Sequence, residues 1–346
     1  MGNCALPRPG LSHALAATAA LALAGCAATP PPLPEEPPPI VASPAPEPVA
    51  EPAAPAPVPP APKPPVAAPS RTGVVVVVDA SAPSNAAVAD AIVAELPPRF
   101  FDVTLVASTA TESLAALRDQ RVTVVAVGAA AVTAAQTELA DKDLVFCQVL
   151  AYEGLVGGNK RAWGVRALPP LALQLRGWRA IDPTLRTIAL ILSDPAAALA
   201  TEAQQAAGDA AADLLVETSS SDRETLYDFR RMAAAVDGLW LLPDSAALSP
   251  SALREILGYA AARGIGVLTF SEALLPRGAL LSATSVAADV ASTVHRVVER
   301  VAAGRTRDLP AMTPLSAAEF ALNTELATTL GLPHVEVSHW VTRDPD

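Results

Sequence analysis

Cysteine is nearly absent from this chain. Cys4, Cys26 and Cys147 are the three present in 346 residues, which excludes a disulfide-built scaffold. Histidine is as sparse, with His13, His295, His334 and His339, and no H-E-x-x-H pair sets two of them on one helix face. In an extended 334–339 segment His334 and Glu336 share one face and His339 takes the other, so no three-ligand metal site assembles there. His295, beside Arg296 and Glu299, reads as a solvated helix position. There is no G-x-S-x-G elbow and no G-x-x-x-x-G-K-[ST] loop, and Gly264-Ile265-Gly266 precedes an apolar run where a dinucleotide loop would follow one. Hydrolase and kinase chemistry therefore have no support, and the sequence assigns no catalytic residue, cofactor or metal. Aromatic residues make up only 4% of the chain. Trp240 and Phe270 lie inside apolar runs and read as core, whereas Tyr152 follows one in a loop and either walls a pocket or packs. Basic charge is also short: a formal net charge of −11 excludes an electrostatic nucleic-acid partner. Past the leader, no stretch reaches the roughly 18 uninterrupted apolar residues of a spanning helix.

Proline, by contrast, is concentrated: 21 of the 35 fall in the first 70 residues, so that stretch is not a packed domain. Residues 1–25 have the layout of a secretory signal, with Arg8 ahead of an apolar run from Ala14 to Ala24. Leu23-Ala24-Gly25-Cys26 resembles the bacterial lipobox, which implies that Cys26 is lipidated and becomes the first residue of the mature chain. Acyl chains contribute roughly 0.8 kcal/mol per buried CH₂, enough in combination to hold a soluble domain at a membrane. In the same sorting scheme Ala27, where aspartate would retain the protein, implies passage to the outer rather than the inner membrane of a bacterial envelope, facing the periplasm. Residues 26–70 are then a lipidated cysteine followed by a disordered Pro-rich tether. At about 3.1 Å per residue the polyproline II form of the 41 residues from Pro30 to Ser70 reaches on the order of 125 Å. A spacer is preferred over a proline ligand because no repeated PxxP carries basic flanks. Cys147, inside the apolar run Leu144 to Val149, reads as a small buried residue.

From Arg71 onward the pattern is α/β. Val74 to Val78 is a β-branched run apolar on both faces, as a strand inside a parallel sheet requires. Helical spacing from Asn85 to Leu96 stops at Pro97-Pro98, and further strands follow at Phe101 to Val106, Val122 to Val127 and Leu144 to Val149, with helices at Ser113 to Arg118 and Val132 to Ala140. A helix from Pro169 to Arg179 opens a second series, with strands at Thr187 to Leu192, Leu214 to Glu217, Gly238 to Leu242 and Gly266 to Phe270. Asp194-Pro195 and Ser249-Pro250 suit helix entry. Two such series predict two Rossmann-like lobes with parallel sheets joined by a hinge. The expected boundaries are 71–167 with 273–306 for the N-terminal lobe and 168–272 with 307–346 for the C-terminal lobe. On that division Ala279 to Ala283 and a helix from Val286 to Ala303 return to the first lobe, and the tail holds a strand near Glu319 to Leu322 and a helix to Leu330.

Open α/β sheets place ligands just beyond the strand carboxyl ends. In the first lobe those positions are Asp79, Ser81, Ser108, Thr109, Gly128, Gln148 and Tyr152; in the second they are Ser193, Asp194, Asp244, Ser245, Ser271 and Glu272. The set is small and polar. Helix N-termini there offer N–H groups to a carboxylate, and Asp79, Asp244 or Glu272 offers a partner to an ammonium, which suits an amino acid or another small zwitterion. The competing reading of each hydroxyl or acid is that it caps a helix.

The second half carries a further signature. Leu239-Trp240-Leu241-Leu242-Pro243-Asp244, Leu248-Ser249-Pro250, Phe270-Ser271-Glu272-Ala273-Leu274 and Gly278-Ala279-Leu280-Leu281-Ser282 resemble the ABC-transporter substrate-binding family with a type I periplasmic-binding fold. Val145 to Val149, Asp308-Leu309-Pro310 and Asn323 to Leu332 are similar to it as well. The resemblance implies two lobes closing on a small molecule, amino acids among the ligands, and an ABC permease as partner. Where the family usually shows Ser-Asp-Pro-Val this chain has Leu150-Ala151-Tyr152-Glu153-Gly154, and Gly128-Ala129 stands where a hydroxyl often follows the glycine. The family's pocket loop is therefore remodelled. The long tether and that loop also suit a second reading, an outer-membrane lipoprotein scaffold or regulator that contacts a cell-wall or other envelope protein.

Overall fold

The computed structural model describes residues 71–150, 152–193, 198–243, 248–333 and 337–344. The signal segment, Cys26 and the Pro-rich tether lie outside the described residues. Five consecutive valines leave β1 (Thr72–Val78) no polar face, and Val74 to Val77 are at most 2% exposed. Each buried valine contributes about 1.5 kcal/mol or more. The chain continues through α1 (Pro83–Glu95), β2 (Phe101–Ala107), α2 (Thr111–Ala115), β3 (Val122–Val127), α3 (Ala129–Glu138), β4 (Asp143–Cys147), α4 (Glu153–Val156) and β5 (Ala162–Val165). A second series follows: α5 (Leu171–Ile181), β6 (Thr187–Leu192), α6 (Ala198–Asp209), β7 (Asp213–Thr218), α7 (Asp222–Met232), β8 (Gly238–Trp240), α8 (Pro250–Ala262) and β9 (Gly266–Thr269). A 3₁₀ turn over Glu272–Arg277 leads to β10 (Leu281–Thr284), α9 (Ala287–Ala302), β11 (Met312–Thr313), β12 (Ala317–Leu322), α10 (Thr324–Thr329) and β13 (His339–Arg343). Ser249 caps α8 as its sequence suggests, accepting from the Ala252 amide at 3.2 Å with Pro250 in the first turn.

The strands form two sheets. The first has the order β11-β5-β4-β3-β1-β2, parallel throughout. The second has the order β13-β12-β10-β9-β8-β6-β7, parallel except for β12 and β13. Three connections pass between the lobes: Val165 to Leu171, Thr284 to Ala287, and Thr313 to Ala317. Each leaves its sheet at the carboxyl edge of a parallel strand, so both carboxyl edges lie at the hinge.

The sheet membership corrects the expected division. Ala279 to Ala283 does not return to the first lobe: β10 pairs with β9 and β12, and Leu280, Leu281 and Ala283 are buried in the second-lobe core. The return begins with α9, whose Val290, Val294, Val297, Val298 and Val301 pack on the first-lobe valines. β11, expected with the second lobe, extends the first sheet beside β5. His295 is half-buried rather than solvated, edge-on to Phe101 with ring centroids 6.0 Å apart and its Nδ1 3.8 Å from Glu95. β9 stops at Thr269, which leaves Phe270 past the strand and 36% exposed instead of in the core.

Glycine shapes the second core at two places, Gly177 on α5 against the Phe320 ring and the pair on β8 and β9. Gly238 and Gly266 are register partners on β8 and β9, and a Cβ on Gly238 would come within 2.5 Å of Trp178 Cη2. Gly238 makes the slot that the α5 indole fills, whereas a Cβ on Gly266 would meet Leu280 Cδ2 at 2.9 Å. Trp240 Nε1 donates to Gln174 Oε1 at 3.1 Å, and Gln174 Nε2 donates to the Pro169 carbonyl at 3.0 Å, so this amide is satisfied although buried.

At the end of α6, Ala211 holds a left-handed φ of +49°, a conformation glycine adopts without steric cost. Arg179 reaches from α5 to the Ala210 carbonyl and, at 2.9 Å, to the Ala211 carbonyl, which cancels partial negative charge there. Ala211→Gly should raise stability by about 0.5 to 1 kcal/mol in urea unfolding without changing the slope. A loss would show that the Cβ makes contacts worth more than the strain.

Candidate binding cleft

Backbone ladders align the first-lobe strand ends into one row. Ser108 N donates to Val78 O at 2.9 Å, Asp79 N to Val127 O at 2.9 Å and Gly128 N to Cys147 O at 3.0 Å, so residues 108, 79, 128 and 148 stand side by side. Ser108 is half-buried and Thr109 exposed in the turn behind it. Asp79 accepts from the Ser81 amide at 3.1 Å and the Ser81 hydroxyl at 2.6 Å. The hydroxyl, then that amide, holds the carboxyl below its usual range; the Ala130 amide in the first turn of α3 adds to this, and burial opposes it. Asp79 is thus fixed in a local turn ahead of α1 rather than as a helix cap, since neither α1 nor α3 has a side-chain cap hydrogen bond, and it presents an ionised carboxylate.

Asn85, which sequence reasoning missed, completes this corner. It is 8% exposed and its Nδ2 donates to the Asp79 carbonyl at 3.1 Å. Its only sequence signal was a polar residue two places after Pro83. Gly128 has φ +94°, and a Cβ there would lie 2.6 Å from Asn85 Nδ2 and 2.9 Å from Asp79 Cβ. Only glycine fits between them.

Further along the row, Gln148 Nε2 donates to Ser285 Oγ at 3.1 Å, and Ser285 lies on the second crossing. Tyr152 packs: its ring is 5.8 Å from Phe146 and it joins Leu155 and Val156 against the first-lobe core. Burial pushes the Cys147 thiol up to about 12, so it behaves as an inert core group. The other crossings are braced as well. Arg166 Nη1 lies 2.5 Å from Glu202 Oε2 on α6. Asp289, in the first turn of α9, accepts from Ser316 N at 2.8 Å, Ser316 Oγ at 2.7 Å and Ala317 N at 2.9 Å.

In the second lobe Ser193 is exposed beyond β6 and Ser271 is half-buried beyond β9. Glu272 is drawn to β13, where His339 Nε2 lies 2.9 Å from its Oε1. Asp194, Asp244 and Ser245 lie outside the described residues. The structure thus brings Asp79, Ser81, Ser108, Gly128 and Gln148 into one row, with Thr109 in the turn behind it, and draws Glu272 to a surface pair. Among the described residues no group of three His, Cys, Asp or Glu side chains is placed to hold a metal ion. A separate open groove of about 400 Å³ runs between α7 and α8, lined by Arg223, Leu226, Tyr227, Arg230 and Glu255.

Among solved structures, the chain is similar to a ligand-free, open substrate-binding protein with adhesive properties from Clostridium difficile. The TM-score is 0.57 at 13% identity, over 77% of this chain and 97% of that one. The fold is that of a substrate-binding protein. A XylFII–LytSN complex mutant is similar at TM-score 0.51 and 11% identity, over 75% of this chain and 100% of that one. An ABC domain in complex with L-Trp from Streptococcus pneumonia has TM-score 0.49 and 16% identity, over 77% and 97%. No family model and no curated protein matches the chain.

Two measurements test the site. Folding lowers the Asp79 pKa, so its contribution is present above the unfolded value near pH 4 and is lost as pH falls through the lower folded value. The stability gap between the native chain and Asp79→Asn should hold from about pH 6 to 8 and close below about pH 4; a gap that widens in acid contradicts this. Asp289→Ala strands the Ser316 and Ala317 amides and should cost about 3 kcal/mol in denaturant unfolding, whereas a cost under about 1 kcal/mol would mean that water replaces the carboxylate.

Proposed function

We propose that this chain is a solute-binding protein of the ABC-transporter substrate-binding family, moored to a bacterial envelope membrane by lipid on Cys26. The two lobes, in the division revised above, close on a small amino-acid-like solute that a permease then receives. One observation carries the reading: three crossings set the carboxyl edges of both sheets at the hinge, with the row of Asp79, Gly128 and Gln148 along one of them. Asp79, ionised and fixed by Ser81, supplies an acceptor for an ammonium, and the hydroxyls of Ser81, Ser108 and Thr109 with the Gln148 amide supply neutral hydrogen bonds. From the facing edge Ser193 and Ser271 add hydroxyls, the sequence candidates Asp194, Asp244 and Ser245 lie outside the described residues, and no covalent step is assigned to any of them. The anchor sequence favours the outer membrane, and the Pro-rich segment serves as the spacer that carries the lobes into the periplasm.

A second reading keeps the fold and changes the partner. Tyr227 is 66% exposed in the groove between α7 and α8, a surface on which an envelope protein would find an aromatic anchor. The similar XylFII–LytSN structure is itself a complex of two proteins. On this reading the chain is a scaffold or regulator and the cleft is secondary.

A thermal-shift series over the standard amino acids, small peptides and nucleobases separates the two. A true solute at a hundredfold excess over its Kd should stabilise the chain by about 2.7 kcal/mol, and the shift should vanish in Asp79→Ala. A series with no shift, together with crosslinking that recovers an envelope protein through Tyr227, would overturn the first reading for the second.

A further inference from the structure

Two non-glycine residues among those described have positive φ, Gln148 at +56° and Ala211 at +49°. Ala211 ends a helix, where left-handed backbone is an ordinary stop. Gln148 ends a strand, and a side chain there holds a backbone that glycine would adopt more easily. Its neighbours fix it in place: Cys147 before it and Val149 after it are buried, and the Cys147 carbonyl receives the Gly128 amide. The side chain itself reaches Ser285, 137 residues further on. Ser285 stands between β10 of the second lobe and α9 of the first, so it lies on a crossing. One residue thus stands in the row of candidate solute contacts and also grips the hinge.

We infer that Gln148 is the positioning residue that links occupancy of the cleft to the setting of the hinge, through its hydrogen bond to Ser285. A solute shifts a two-state hinge only through contacts that differ between the states. Gln148 supplies such a contact: an amide engaged by solute at one end alters its hold on Ser285 at the other. The remaining crossings have braces of their own, Arg166 with Glu202 and Asp289 with Ser316 and Ala317, and the middle crossing is the one that Gln148 holds. Glutamine rather than glycine at a left-handed strand end is then explained by the side chain, since glycine would relieve the backbone and lose the grip. The solute half of this inference rests on the solute-binding reading, whereas the hinge half does not.

The test measures inter-lobe distance by electron spin resonance in the full chain with Cys4→Ser and Cys26→Ser, spin labels being placed through Thr137→Cys and Arg254→Cys. Cys147 is fully buried and stays unlabelled. Gln148→Gly should keep its Tm or gain about 2 °C through relief of the backbone, yet shift the distance distribution of the solute-free protein. Ser285→Ala should give the same shift, and the double variant no more than either alone. A mixture of the standard amino acids should then move the distance in the parent and leave it unmoved in Gln148→Gly. Unchanged solute-free distributions in both single variants, additive shifts in the double variant, or equal movement by the mixture in parent and Gln148→Gly would each overturn the inference. If the mixture moves neither, the amino-acid reading fails while the solute-free comparison still decides the hinge role.

Discussion

Three backbone crossings that all attach at carboxyl edges govern the rest of this molecule. A parallel sheet offers ligands its carboxyl edge because the following loops and helix N-termini gather there. Two such sheets joined at other edges would present two separate shallow sites. Here Val165, Thr284 and Thr313 all end strands at those edges before the chain passes to the other lobe, so the geometry of one site constrains the other. The carboxylate of Asp289 adds a side-chain tie to that constraint, since it holds the chain entering β12 against the start of α9 with three hydrogen bonds. A buried carboxylate is costly without partners, and these three donors make the third crossing a defined turn instead of a loose strap.

A carboxylate held by local donors recurs at Asp79. An ionised carboxylate has about four lone-pair positions. Ser81 occupies two of them with its amide and hydroxyl, and the Ala130 amide approaches a further one. The turn therefore orients the carboxylate and keeps it charged while leaving some capacity unused. A solute ammonium would meet a group already fixed and ionised, so little side-chain entropy is lost on binding. Gly128 belongs to this arrangement as spacing, because the room a Cβ would take is filled by Asn85 and Asp79.

Much of the fold was legible because it is written in uninterrupted apolar runs. The valines of β1, the run that became β6, and the Ser249-Pro250 entry to α8 each admit one local solution. What failed to read were choices between equally apolar destinations. Leu280 to Ala283 would bury as well against either lobe, and the pairing of β10 with β9 and β12, a long-range fact, decides it. β11 is two residues long and carries no periodicity at all. Phe270 was read as core because the run Gly266 to Phe270 looks continuous, yet the strand ends one residue earlier. Of the candidate row, the strand-end rule named Asp79, Gly128 and Gln148 but not Asn85 or Ser285, whose contacts depend on what stands opposite them.

Gln148 shows most clearly why such roles are invisible along the chain. Nothing in Cys147-Gln148-Val149 signals a left-handed residue, since the usual marks are glycine, asparagine or aspartate. The conformation follows from two buried neighbours, a ladder bond to the Cys147 carbonyl, and a partner 137 positions away. The last of these exists only once the middle crossing has formed. The residue is therefore sensitive to the relative setting of the lobes in a way that β1 is not, since the strands paired with β1 lie within the first lobe. A strained position maintained by contacts that span a hinge has two routes to relaxation, a change of backbone or a change of hinge, and the packed neighbours close off the first.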